Sequence, residues 1–231
     1  MLFFDPLFLL FMIPGLIIAG IASAYTHSTF EKYKRFCASS QMTGAEAAQR
    51  LLASAGIYDV RIERVGGFLS DHYDPTSKVL RLSPDVYSGI SLSAIGVACH
   101  EAGHAIQHAT AYGPLGLRSS LVPLTNFASF GSYIVITIGF FIMSREMILF
   151  GAILFGVTVL FSLVTLPVEW DASARAKKLM VSCGIVTAKE REGAADVLNA
   201  AFMTYVASAL SSLLMLIYYL LRAGVLGNDR D

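Results

Sequence analysis

The sequence predicts a mainly α integral membrane protein, with about four transmembrane helices and a small α+β portion outside them. Three observations predict it. Of 231 residues, 55% are hydrophobic and only 15% charged, with a mean hydropathy of +0.61; a soluble domain is nearer a quarter charged. Apolar runs at approximately residues 7–24, 121–143, 147–166 and 200–221 are near the length that a spanning helix needs. Between them, residues 43–113 and 167–199 carry capping boxes and short alternating runs of a folded, water-facing portion. The chain, 1–231, reads as one integral-membrane domain with no internal repeat or linker. Its formal net charge is zero, so nucleic acid is not an expected partner. Cys37, Cys99 and Cys183 are odd in number and far apart, which excludes a disulfide framework and a CxxC metal pair.

Each element has a local reason. Leu7 to Ala24 is apolar, and Ala22-Ser23-Ala24 looks like a signal-peptidase site. Asp5 precedes the run, however, while Lys32, Lys34 and Arg35 follow it, which suits a retained helix with its C-terminal end in the cytoplasm. Thr43-Gly44-Ala45-Glu46 is a capping box that opens an amphipathic helix, ended by Gly56. Val60 to Val65 alternates as a strand does, and Gly66-Gly67 turns the chain. Phe68 to Tyr73 and Lys78 to Leu82, joined through Asp74-Pro75, read as a hairpin. Its second strand either holds an extended substrate along a free edge or packs within the fold. Ser91 or Ser93 can cap the next helix, and Gly113-Pro114 can stop it. Arg145-Glu146 marks a short turn between the second and third spans. Pro167 either kinks the third span or starts a new helix. Thr187-Ala188-Lys189-Glu190 is a second capping box, opening a helix that runs into the last span.

Four spans place the loops after the first and third on the same side. Those loops hold 14 of the 17 Lys and Arg residues, so that side is expected to be cytoplasmic.

The chemistry centres on His100-Glu101-Ala102-Gly103-His104. Histidines four apart on a helix share one face, one turn apart, and can meet one metal ion. The intervening Glu101 stands beside the ion's open position, where it can take a proton from water. This is the HExxH pattern of zinc peptidases. Five His and eight Glu in 231 residues produce it by chance roughly 0.004 times per chain. A catalytic zinc needs a third protein ligand. His108 lies about 12 Å along the axis from His100, too far for one straight helix to offer all three. Gln107 and Thr110 stand where the extended metzincin pattern needs Gly and His. Two His and a Glu from a second helix remain, and Glu169 is the candidate, with one zinc per chain.

These residues resemble a family. Asp71-His72-Tyr73-Asp74-Pro75, the run His100 to Gln107, and Leu166-Pro167-Val168-Glu169-Trp170-Asp171-Ala172-Ser173 are similar to bacterial membrane zinc metallopeptidases of the YugP type, relatives of HtpX and the CAAX prenyl endopeptidases. The resemblance implies a multi-pass protein of the bacterial cytoplasmic membrane. In HtpX-like relatives the third ligand is a Glu followed four residues later by Asp. Here Ser173 holds that later position, so either Asp171 or Ser173 takes the supporting role. The expected activity is zinc-dependent endoproteolysis at the cytoplasmic membrane surface, with His100, His104 and Glu169 as ligands and Glu101 as general base. A donor to the oxyanion is expected from His72, Tyr73 or Arg175. Expected partners are the bilayer and protein or peptide substrates, membrane proteins among them; no oligomeric state follows. Two other classes compete. A proteolytically inactive zinc-binding scaffold would not need Glu101, and a transporter would need ionisable residues that the spans almost entirely lack.

Overall fold

A computed structural model describes residues 5–67 and 70–226. The chain is a mainly α membrane protein. Its helices are α1 (Pro6–Tyr33), α2 (Gly44–Ser54), α3 (Pro84–Tyr87), α4 (Leu92–Ala109), α5 (Gly113–Phe141), α6 (Arg145–Ser182) and α7 (Glu190–Arg222). Its strands are β1 (Arg61–Arg64), β2 (His72–Asp74) and β3 (Val79–Leu82). Among the described residues α1, α5, α6 and α7 are long and apolar enough to cross a membrane. The chain divides into two compact units.

The first unit comprises residues 1–22, 117–166 and 204–231. Large apolar side chains such as Phe127, Phe130, Tyr133 and Ile153 are exposed on it, as expected where lipid is the solvent. Within it α5 and α6 form a tight antiparallel pair. The turn lies at Ile142–Ser144, with Met143 at positive φ. It therefore precedes Arg145 and Glu146, which already belong to the first turn of α6. Gly139 and Gly151 sit against Ile148 and Ile136, so the helices approach where a side chain would not fit. Asp5 accepts hydrogen bonds from Tyr218 and Arg222 and ties the start of α1 to the end of α7.

The second unit comprises residues 23–116 and 167–203 and includes both expected catalytic segments, 43–113 and 167–199. Both capping boxes form: Thr43 with Glu46 at α2, and Thr187 with Glu190 just before α7. Gly56 follows α2 at φ 73°, the left-handed turn glycine tolerates. Ser91 caps α4 by accepting from the Ala94 amide, while the Ser93 hydroxyl donates to the Phe30 carbonyl. The helix ends earlier than Gly113-Pro114: Thr110 is its C-cap and Ala111 has φ 50°. Gly113 and Pro114 instead open α5, where the missing proline N–H costs nothing. At Pro167 there is no new start, because α6 runs through it from Arg145 to Ser182.

The sheet has the order β1-β3-β2, with β1 parallel and β2 antiparallel to β3. The β2–β3 hairpin is the expected one, although Phe68 and Leu69 of its first strand lie outside the described residues. Its second strand, β3, is central rather than free-edged: Val79, Leu80 and Leu82 are buried and both sides are paired. Packing, not an open edge, is therefore its role. The outward edges belong to β1 and β2.

Helix α4 is buried along nearly its whole length. At Gly103 it meets α6 so closely that an added Cβ would stand 2.6 Å from the Ala172 carbonyl oxygen. Gly103→Leu is expected to lower the thermal midpoint in detergent, by the equivalent of about 1–3 kcal/mol or more. Gly116→Ala, at a helix position with nothing within 4 Å, is expected to leave it unchanged.

Candidate metal centre

Three groups converge between α4 and α6. His100 and His104 project from α4, one turn apart, with ring centroids 4.7 Å apart. Glu169, 1% exposed, projects from α6. One Glu169 oxygen, Oε2, lies 3.2 Å from His100 Nε2 and 3.5 Å from His104 Nε2. The three ligand atoms all fall within 4.8 Å of one another, a group able to hold a metal ion. Two imidazole nitrogens and a carboxylate oxygen are the borderline donor set that suits zinc and leaves a coordination position open.

The opposite edges of both imidazoles are also engaged. His100 Nδ1 is 3.1 Å from the Ser173 hydroxyl. His104 Nδ1 is 3.0 Å from Gln107 Oε1. The Gln107 amide NH2 donates to the Val168 carbonyl at 2.8 Å and to Asp171 Oδ2 at 2.9 Å. That fixes the amide's orientation: its nitrogen is spent on acceptors, so its oxygen must accept from His104. His104 therefore carries a proton on Nδ1, and its Nε2 faces Glu169: protonated, Nε2 donates to the carboxylate, and unprotonated, it offers its lone pair to a cation. Burial works against a charged His104, but its hydrogen bond to Glu169 and the nearby Glu101 carboxylate raise its pKa overall. A proton and a metal ion compete for that same lone pair.

Glu101 is buried at 9% exposure, and its carboxylate makes no hydrogen bond or ion pair among the described residues. A buried carboxylate without a protein partner is costly unless water or a cation serves it. It precedes Ala102 and Gly103 on the helix that carries both histidines.

The other sequence candidates separate. Ser173 and Asp171 both serve, in different places: Ser173 touches His100, whereas Asp171 reaches His104 only through Gln107. Arg175 Nε donates to Asp171 Oδ2 at 2.5 Å, and its guanidinium lies 5.5 Å from the Tyr112 ring centroid. Tyr73 pairs its hydroxyl with His108 Nδ1 at 2.9 Å. His72 is exposed on β2, with Nδ1 2.8 Å from the Ser70 carbonyl and Nε2 near Arg81. His108 is outside the converging group, as its offset along α4 requires. Gln107 is the residue that sequence reasoning passed over, having weighed it only as a departure from the metzincin pattern. Its signal was a polar amide one turn beyond His104 on a buried helix, where such a group must find partners.

Comparison with known proteins identifies relatives of the chain. A family model described as "Putative neutral zinc metallopeptidase" matches residues 8–224. The "Putative membrane protease YugP" of Bacillus subtilis (strain 168) is 47% identical over 225 residues, which cover 97% of this chain and 99% of the relative. No solved structure matches.

If the amide of Gln107 orients His104, Gln107→Leu should weaken zinc binding by about 10–100-fold in a chelator competition. Glu169→Ala should retain no tightly held zinc, and Asp171→Ala should be milder. His108→Ala should bind as the parent does; loss of zinc in that variant would overturn the ligand assignment.

Proposed function

The chain belongs to the neutral zinc metallopeptidase family, and on that premise we propose that it is a membrane-embedded endopeptidase holding one zinc ion through His100, His104 and Glu169. The observation that carries this reading is the convergence of those three side chains next to the buried, unpartnered Glu101. Zinc in such a site acts as a Lewis acid, raising the acidity of water and polarising a carbonyl. The remaining work falls to the chain. Glu101 accepts the proton of the attacking water and later delivers it to the departing amine. Gln107 keeps a proton on His104 Nδ1, and Ser173 holds the His100 ring by its Nδ1, so that both Nε2 atoms point inward. Of the three candidate oxyanion donors, Arg175 is linked through Asp171 and Gln107 to the Nδ1 edge of His104. Tyr73 is paired with His108, and His72 lies with Ser70 and Arg81.

Substrate enters this reading as an extended segment added to the outward edge of β2. That edge has no strand partner among the described residues, and the Tyr73–His108 contact holds β2 against α4. Main-chain hydrogen bonding tolerates varied side chains, which fits protein substrates, membrane proteins included. The excess of Lys and Arg in the loops after the first and third spans supports a site on the cytoplasmic face of the bacterial membrane.

Glu101→Gln should abolish hydrolysis of an unfolded protein substrate by detergent-purified enzyme, while zinc analysis still finds one ion per chain. Full turnover in that variant would overturn the general-base assignment, and an inert parent that binds zinc would replace the peptidase reading with that of a scaffold. For orientation, a single cysteine at Thr76, in a chain lacking Cys37, Cys99 and Cys183, should resist a membrane-impermeant thiol reagent in intact cells. It should react once the cells are opened. Labelling of intact cells would reverse the topology.

A further inference from the structure

Away from the metal centre, the second unit has a groove of about 630 Å³ between α6 and α7. Its polar lining is cationic: Lys177 and Lys178 on α6 face Arg191 on α7. Ala174, Val181 and Ala195 form the apolar part of its wall. Lys177 Nζ donates to Asn199 Oδ1 at 2.6 Å, a neutral acceptor that leaves its charge uncompensated. Lys178 and Arg191 make no ion pair among the described residues. Of the acids near the start of α7, Asp196 accepts from Tyr33 and Glu190 from Ser39 and Thr187, while Glu192 makes no ion pair with Arg191 or either lysine among the described residues. Three cations around one partly apolar groove repel one another unless an anion joins them.

The surroundings specify what kind of anion. Following the same faces of the two helices, Trp170 and Phe202 pack edge to face, with centroids 5.3 Å apart. Trp170 is 59% exposed, and Lys177 Nζ lies 5.8 Å from its ring centroid. Both helices are among those able to cross a membrane. Exposed Trp beside Lys and Arg is the composition of a membrane–water interface, where aromatic rings sit at headgroup level and basic residues meet anionic lipid. A soluble anion or an acidic peptide would make no use of the exposed indole. We infer that this groove is a binding site for the phosphate headgroup of an anionic phospholipid, with Lys177, Lys178 and Arg191 holding the phosphate and Trp170 and Phe202 resting against the glycerol and upper acyl chain.

The test uses the full-length protein, delipidated in neutral detergent and titrated with phosphatidylglycerol under native mass spectrometry. Phosphatidylcholine and inorganic phosphate serve as comparison ligands. The parent should retain phosphatidylglycerol selectively, and added salt should weaken it. Lys178→Gln with Arg191→Gln should weaken that binding by roughly 30-fold, taking about 1 kcal/mol per cation. Trp170→Ala should weaken phosphatidylcholine and phosphatidylglycerol alike. A charge-matched control, Arg50→Gln with Arg64→Gln, should bind as the parent does. All of these side chains are on the surface, and an unchanged thermal midpoint checks that each variant is folded. The inference fails if the groove variant and the control lose affinity equally. It also fails if inorganic phosphate binds the groove as tightly as the lipid. None of these readouts depends on proteolysis, so the result stands apart from the activity assay.

Discussion

The close crossing of α4 and α6 is the constraint on which the site depends. Glu169 reaches two histidines that precede it by more than sixty residues because Gly103 has no side chain to hold the Ala172 carbonyl away. Ala102 and Ala176 are fully buried and Ala105 nearly so, and with Ala172 they keep the neighbouring layers thin. Larger residues would push the helices toward the usual separation of 8–10 Å or beyond, and a carboxylate on a two-carbon stem would fall short of both imidazoles. Small residues here are thus a requirement of coordination distance rather than of helix propensity.

The crossing also determines what stands behind the ligands. Because α6 lies against α4, it supplies Val168, Glu169, Asp171 and Ser173 to the surroundings of the two histidines. Each has a separate partner. A carbonyl and a carboxylate take the Gln107 amide hydrogens, a hydroxyl meets His100, and a carboxylate reaches both ring Nε2 atoms. Pro167 sits immediately before this run. With no N–H of its own it leaves one carbonyl of the preceding turn without its helical donor, yet α6 continues. Pro167 is itself exposed, and the helix runs on through it into the buried Val168 and Glu169.

Much of this was legible in the residues, for physical reasons. A metal on one helix face imposes a spacing of four, so His100 and His104 stood out, and steric reach excluded His108. Capping boxes and Ser91 declared helix starts because each start leaves amides that need acceptors. What stayed hidden needed three dimensions. Proline is compatible with either a kink or a new helix, so the continuity of α6 through Pro167 was open. Just past the Thr110 C-cap of α4 comes Ala111, whose positive φ is rare outside glycine and so leaves no mark in composition. Pairing of β3 on both sides depends on β1, which sequence order places on the far side of β2. Ser173 and Asp171 were both candidates for one supporting role, and hydrogen-bond geometry divides them between two histidines through the amide of Gln107.

The neutrality of the groups that touch the imidazoles has an electrical consequence. In a site where each histidine leans on a carboxylate, the histidine acquires imidazolate character, and the cation's charge is diluted into its surroundings. Here the immediate props are a hydroxyl and an amide, and the one carboxylate next in line, Asp171, is countered by Arg175. A divalent cation among His100, His104 and Glu169 would then be offset by a single ligand charge and would keep a net positive field. That field bears most strongly on Glu101, a carboxylate with no other partner. The polarity of the props behind the ligands would set the electron-withdrawing strength of the centre, and exchanging Gln107 for Glu or Ser173 for Asp would tune it without touching a ligand.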